Sequence, residues 1–292
     1  MNKEKIADVI STITNPPIIT IPLFLIICYV LSFENGVFNM SKFIELEVIS
    51  LVFSSILPMA IIVYWAKKLN TDKDISNRKD RFTPLIVGVV SYFIGFFISL
   101  ILNVDYFLTL LLLCYAVNTF IVMLITSKWK ISVHTTGVSG PVAALILLLG
   151  PVGALFAIIY PVVIWSRVTL EKHTLAQAIC GAVQGFFLTV LEMYLYMYIF
   201  SMPIEGLVSL EMSILYILAI IAAPILLGVL SYTHVAEKKI VFFLMELVML
   251  WIFLIHTPLE VTATYVIISI ACIMVSYFAG EDFVWFRVLN SS

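Results

Sequence analysis

The sequence predicts an all-α fold: a polytopic transmembrane helical bundle of about ten spans, forming one integral membrane domain over residues 1–292. Three observations predict it. First, 62% of the residues are hydrophobic and only 12% are charged, about half the charged share of a soluble protein. Mean hydropathy is +1.13. A soluble globule needs a polar skin that this composition cannot supply, so an ordinary soluble enzyme, a nucleic-acid binder and a disordered chain are excluded. Second, the apolar runs are continuous and reach the roughly 20 residues needed to cross the hydrocarbon core. They do not alternate, which excludes a strand barrel. Third, the cations gather on one side of the expected topology.

The elements follow in order. Met1–Asn15 is mixed polar and runs into the first span with no small-residue cleavage site, so no cleaved signal is expected. The expected spans are approximately 17–33, 44–66, 84–103, 105–126, 134–149, 151–168, 173–200, 207–231, 237–256 and 259–279. Asn35–Gly36, Asn103–Asp105 and Pro203 to Gly206 punctuate them. The fifth and sixth spans are short and meet at Gly150–Pro151, where proline cannot donate its amide and a turn is expected.

Ten spans would put both termini on one side. All of the 16 Lys and Arg except Lys42 then fall on that side, which the positive-inside rule makes cytoplasmic. The four cysteines (Cys28, Cys114, Cys180, Cys272) lie in apolar runs without CxxC spacing. They read as buried small hydrophobes, with no disulfide, zinc or haem framework. Glu192, Glu211 and Glu246 are costly in lipid and are expected to face protein or water, as packing residues or as a proton or ion path. Asn118 and Gln184 read as interhelical hydrogen-bonding residues.

Three connections on the basic side stand apart. Lys67 to Pro84 carries Lys73, Arg78, Lys79 and Arg81. Lys128 to Gly137 carries Lys130, Ser132, His134 and Thr135. Ser166 to Gly181 carries Arg167, Lys172, His173 and Gln177. Two expected spans separate each from the next, so all three end on one membrane face. Arg and Lys suit phosphate, Arg with a bidentate fork. Ser132 stands just before a helix expected to begin near His134, and a helix N-terminus with a hydroxyl holds anions. Two histidines add a proton donor and a nucleophile. Composition alone favours ordinary basic loops with incidental histidines; the spacing changes that weighting.

Ser166-Arg167, five residues, His173, then Gln177 and Gly181 resembles the third signature of the type-2 phosphatidic acid phosphatase superfamily, Ser-Arg-x5-His-x3-Asp followed by Gly. Ile131-Ser132-Val133-His134 is similar to its second, Pro-Ser-Gly-His. Arg81-Phe82-Thr83-Pro84 is loosely similar to its first, Lys-x6-Arg-Pro, with Lys73 one position too distant. The resemblance covers residues 73–181, a phosphatase-like core. It implies that His173 Nε2 attacks phosphorus, that His134 protonates the leaving alkoxide, and that water then releases phosphate. Lys73, Arg81, Ser132 and Arg167 would hold the phosphoryl oxygens, with Arg78 and Lys79 as rivals for the place of Lys73. Lys130, Lys172 and Thr135 would line the rim. No metal and no other cofactor is implied. The substrate would be a membrane lipid phosphate or diphosphate, polyprenyl or phosphatidic-acid-like, and the reaction hydrolysis or phosphotransfer.

Gln177 stands where the family has Asp. It can offer its carbonyl oxygen to His173 but no charge, and in serine proteases the analogous Asp→Asn change costs about 10⁴ in rate. The alternatives are a non-catalytic lipid- or anion-binding membrane protein and, from the three intramembrane glutamates, a transporter. A prenyltransferase using Asp72, Asp74 and Asp80 would need a second acidic loop, which the sequence lacks.

Overall fold

All ten apolar segments are helical. The structure, a computed structural model, describes residues 3–69, 81–232 and 238–279. The helices are α1 (Lys3–Ile13), α2 (Pro16–Leu31), α3 (Met40–Ser50), α4 (Leu57–Leu69), α5 (Phe82–Ile101), α6 (Tyr106–Lys128), α7 (Val133–Leu149), α8 (Pro151–Ala154), α9 (Ile159–Thr169), α10 (Leu175–Ile199), α11 (Leu210–Tyr232), α12 (Lys238–His256) and α13 (Leu259–Ala279). Among the described residues, five helical stretches are long and apolar enough to cross a membrane: Met40–Lys68, Phe82–Ile101, Tyr106–Lys128, Pro151–Thr169 and Leu175–Ile199. The bent pair α1–α2 would make a sixth, and Val133–Leu149, Leu210–Ala222, Phe243–His256 and Leu259–Val275 are shorter apolar helices. The chain is a helical membrane protein.

Local chemistry sets the boundaries. Asn35 and Gly36 both adopt positive φ, 52° and 80°, the geometry of a type I′ turn. They close a two-residue hairpin in which Phe33 pairs with Phe38 and Glu34 with Val37, a small exception to an all-α reading. Asp105 caps α6 by accepting from the Phe107 amide at 3.0 Å. Gly150, at φ 56°, ends α7, and Pro151 opens α8. Between α3 and α4 the backbone widens into a π-helical stretch, Leu51–Ile56. There the Phe53 carbonyl accepts from Ser91 Oγ on α5 at 2.8 Å, the kind of regrouping that accompanies a π-bulge.

The ends of the helices sort by charge. At one end Lys42 pairs with Glu34 (3.6 Å) and Asp105 (3.1 Å). At the opposite end lie the start of α5, the α6–α7 connection and the α9–α10 connection, which carry the basic segments. Lys73, Arg78, Lys79 and the aspartates beside them lie outside the described residues.

Helices α7 and α10 pack with almost no clearance. A Cβ added to Gly181 on α10 would stand 2.6 Å from the Ser132 carbonyl oxygen and closer still to Thr135 Oγ1. One added to Gly185 would stand 2.7 Å from the Thr136 carbonyl. These glycines, four apart, give α10 a flat face on which α7 rests, backbone to backbone. Asn118, Gln184 and Thr189 tie α6 to α10: Asn118 Nδ2 donates to Thr189 Oγ1 at 3.0 Å, and Gln184 Nε2 donates to Asn118 Oδ1 at 3.2 Å. Glu192 is buried beside them and accepts from Asn118 at 3.4 Å, whereas Glu211 is exposed in the first turn of α11. Glu246 accepts from Tyr265 and Ser269 across the α12–α13 contact. Three cysteines are buried as expected, but Cys180 is exposed because it sits on the outward side of α10, away from α7.

Candidate active site at the basic end of the bundle

The α6–α7 connection supplies the first part. Ser132 is the N-cap of α7, extended at φ −84°, ψ 105°, and its hydroxyl accepts from the Thr135 amide at 3.4 Å. The helix therefore begins at Val133 and places His134 in its first turn, as the sequence implied. Ser132 and Thr135 are both fully buried. Thr135 is thus not a rim residue: its hydroxyl donates to the Ser132 carbonyl at 3.1 Å, and it packs in the seam against Gly181.

The α9–α10 connection supplies the second. Glu171 takes a left-handed conformation, φ 52°, which turns the chain back after α9. Both Lys172 N and His173 N then donate to the Arg167 carbonyl, at 3.1 and 3.3 Å, closing the helix end. This fold-back holds the His173 backbone directly against that of Arg167. Thr174 then caps α10, and Gln177 completes a capping box with it.

That capping box decides how Gln177 meets His173. Gln177 Oε1 accepts from the Thr174 amide at 3.2 Å and lies 3.3 Å from His173 Nδ1. The Thr174 amide fixes which end of the side-chain amide faces inward. His173 Nδ1 is also 3.2 Å from the Lys130 carbonyl. Both neighbours are acceptors, so Nδ1 carries the proton and donates, and Nε2 is left with its lone pair. Nε2 is buried and has no hydrogen-bond partner among the described residues. The expected contact is present, but it runs through a helix cap: His173 precedes α10 rather than sharing a face of it with Gln177.

Around that nitrogen stand cations. Arg81, at the start of α5, and Arg167 are buried, the latter completely. Both act electrostatically on His134 and His173, and His173 acts on His134. Burial, then the charges of Arg81, Arg167 and Lys130, push the His173 pKa down to about 3. The imidazole is therefore neutral near pH 7. Lys130 contributes its carbonyl and its charge; Lys172 is half-buried.

One participant lies far from the motifs in sequence. Helix α1 packs across α9 and meets α2 at an angle of 59°. Ser166 Oγ donates to the Ala7 carbonyl at 2.7 Å, Arg167 Nη1 donates to Ser11 Oγ, and the Ser11 backbone hydrogen-bonds His134. Nothing in the sequence pattern joins Ser11 to Arg167; a buried serine on the inner side of an amphipathic N-terminal helix is the one available signal.

Arg81, Ser132, His134, Arg167 and His173 thus come from three connections to one end of the bundle, with Gln177 behind His173. The set can hold an anion with guanidiniums and a helix N-terminus, and it presents an unprotonated ring nitrogen beside a second imidazole. Among the described residues no group of three His, Cys, Asp or Glu is arranged to hold a metal. No protein-family model matches the chain, and no curated protein and no solved structure is significantly similar to it.

Proposed function

We propose that this protein is a membrane-embedded lipid phosphatase or phosphotransferase working through a phosphohistidine. The observation that carries the reading is the state of His173. Its Nδ1–H is engaged by two acceptors, its Nε2 has no hydrogen-bond partner among the described residues, and burial, then the nearby cations, hold it neutral. A nucleophile needs that combination. Nε2 attacks the terminal phosphorus of a lipid phosphate or diphosphate, the P–O bond to the leaving alcohol or lipid monophosphate breaks, and His134, protonated while the bound phosphate anion offsets the arginines, delivers its proton to the departing oxygen. Water, or another alcohol, then returns a proton to His134 and takes the phosphoryl group from His173. Arg81, Arg167 and the Ser132 end of α7 hold the phosphoryl oxygens, where charge resides in the transition state. The imidazolium that develops is stabilised by the Gln177 and Lys130 oxygens as dipoles, without a full negative charge.

The resemblance of the three segments to type-2 phosphatidic acid phosphatases supports the same reading. The reading includes a ten-span topology with both termini and the site at the cytoplasmic face, where a lipid headgroup lies. A second reading, an anion-binding membrane protein without turnover, is favoured by Gln177 alone. The experiment is phosphate release from a panel of lipid phosphates by the purified protein, with acid-labile, base-stable labelling of His173 as the intermediate. No release and no labelling in the wild type, with lipid phosphate still bound, would select the second reading.

A further inference from the structure

A cleft leads inward from this end of the bundle. It encloses about 1050 Å³, its open mouth included. Arg81 and His134 line it at the basic end, so it is continuous with the anion site. Its walls are apolar: Ile62 on α4, Leu85 on α5, Val122 on α6 and Val133 on α7. Gly88 adds backbone where a side chain would enter it, while Gly137 and Gly140 let Pro16 and Tyr115 pack closely on α7. Of the polar residues that it meets, Asn118 and Thr189 bond each other and Thr136 donates to the Gly181 carbonyl, while Asn15 and Thr119 also line it.

The inner end is closed by rings. Tyr92 and Tyr115 both line the cleft and meet edge to face at 5.4 Å, and Phe24 stands behind Tyr115 at the same spacing. All three are buried. From Arg81 to Tyr92 the chain advances eleven residues of α5, about 16 Å along the helix axis.

We infer that this cleft takes one hydrocarbon chain of the lipid phosphate, with the phosphate at Arg81 and His134, and that the Tyr92–Tyr115 pair sets the longest chain that fits. This rests on the proposed phosphate site. The physical basis is steric. A lipid chain leaves one apolar medium for another, so burial itself discriminates little between lengths. Discrimination arises where the chain end meets rings that close packing holds in place. Chains short of the floor are accepted alike, and longer ones must fold back or displace the tyrosines.

The test uses the full-length protein in detergent with two series, n-alkyl phosphates for hydrolysis and n-alkyl phosphonates for binding. Each runs through octyl, dodecyl, hexadecyl and eicosyl. Affinity and kcat/KM are expected to be level for the short members and to fall by about tenfold or more beyond the length that the floor allows, a loss typical of overpacking. Tyr92→Ala should move the cutoff to longer chains. Gly88→Leu, which fills the cleft from its wall, should move it to shorter ones, and it keeps the test open if the floor variant does not fold. A cutoff in phosphonate binding without hydrolysis would support the cleft while removing the catalytic reading. Hydrolysis with a flat profile across all lengths, unchanged by both variants, would overturn the cleft assignment and leave the catalytic one standing.

Discussion

The backbone amide of Ser132 donates to the backbone carbonyl of Gln177 across 3.2 Å. That single bond joins the N-cap of α7 to the first turn of α10, main chain to main chain. The two histidines are held relative to each other by backbone contacts.

Gly181 makes that approach possible, so it is the first place to perturb it. Gly181→Val should disrupt the site without touching a charged residue. The added Cβ would meet the Ser132 carbonyl, and backbone cannot step aside as a flexible side chain can. A loss of about 1–3 kcal/mol is expected from such overpacking, read as a lower unfolding midpoint in detergent together with lost phosphate binding. Wild-type stability and binding in this variant would contradict the role given to the seam.

For Gln177 the informative change is to Glu rather than to Asp. Aspartate is one carbon shorter and would abandon the capping-box bond to Thr174 or the approach to His173 Nδ1. Glutamate keeps both and adds a charge that favours the imidazolium. Gln177→Glu is expected to raise kcat by about tenfold or more with little change in KM, compared as transition-state free energies. A change confined to KM would mean that the residue touches substrate.

Acid sensitivity should carry the mark of His173. Its pKa lies near 6.5 in the unfolded chain and is pushed down to about 3 in the fold. Between these values the unfolded state binds more protons, so the contribution to stability is whole above pH 6.5 and is lost as pH falls toward 3. His173→Ala should therefore flatten the pH dependence of the unfolding midpoint between pH 4 and pH 6.5. Parallel pH profiles for the two proteins would show that the residue titrates normally.

Ser11 offers a test outside the signature segments. Ser11→Ala removes the hydroxyl that accepts from Arg167 but keeps the backbone bond to His134. Removing a hydrogen bond to a buried charged group costs about 1.5–3 kcal/mol. The expected result is a lower unfolding midpoint and a higher KM for a lipid phosphate, with the alkaline limb of kcat/KM unchanged because His134, the proton donor, keeps its contact. A shifted alkaline limb would place the hydroxyl in proton transfer.

Catalysis by cations and histidines predicts indifference to chelators. Phosphate release should be the same with and without EDTA, and His173→Ala should abolish it. Loss of activity on chelation, restored by a divalent cation, would require a different mechanism.

Much of this was legible in the sequence because it is local. Ser132 as an N-cap, the Gly150–Pro151 turn and the Asn35–Gly36 reversal are each dictated by the conformational preferences of one or two residues. Gly181 was visible as part of a spacing, though its purpose, a clearance of a few ångströms beside Ser132, needs the neighbouring helix. The fully buried state of Thr135 was hidden because helix periodicity alone does not say which side of α7 meets α10. Ser11 and Arg167 lie 156 residues apart, and no local rule links a serine in a short amphipathic helix to an arginine that far along the chain. The cleft floor likewise joins Phe24, Tyr92 and Tyr115, aromatic residues that in one dimension resemble any others in a lipid-facing span.

The sharp angle between α1 and α2 has a practical consequence. Because α1 crosses α9 and reaches Arg167 and His134 through Ser11, a cut that releases α1 acts at the basic end of the bundle, where the lipid phosphate is proposed to bind. A nick between Ile13 and Asn15 would free that contact. Preparations that differ only in how their first residues are processed should therefore differ in headgroup affinity while their spans remain identical.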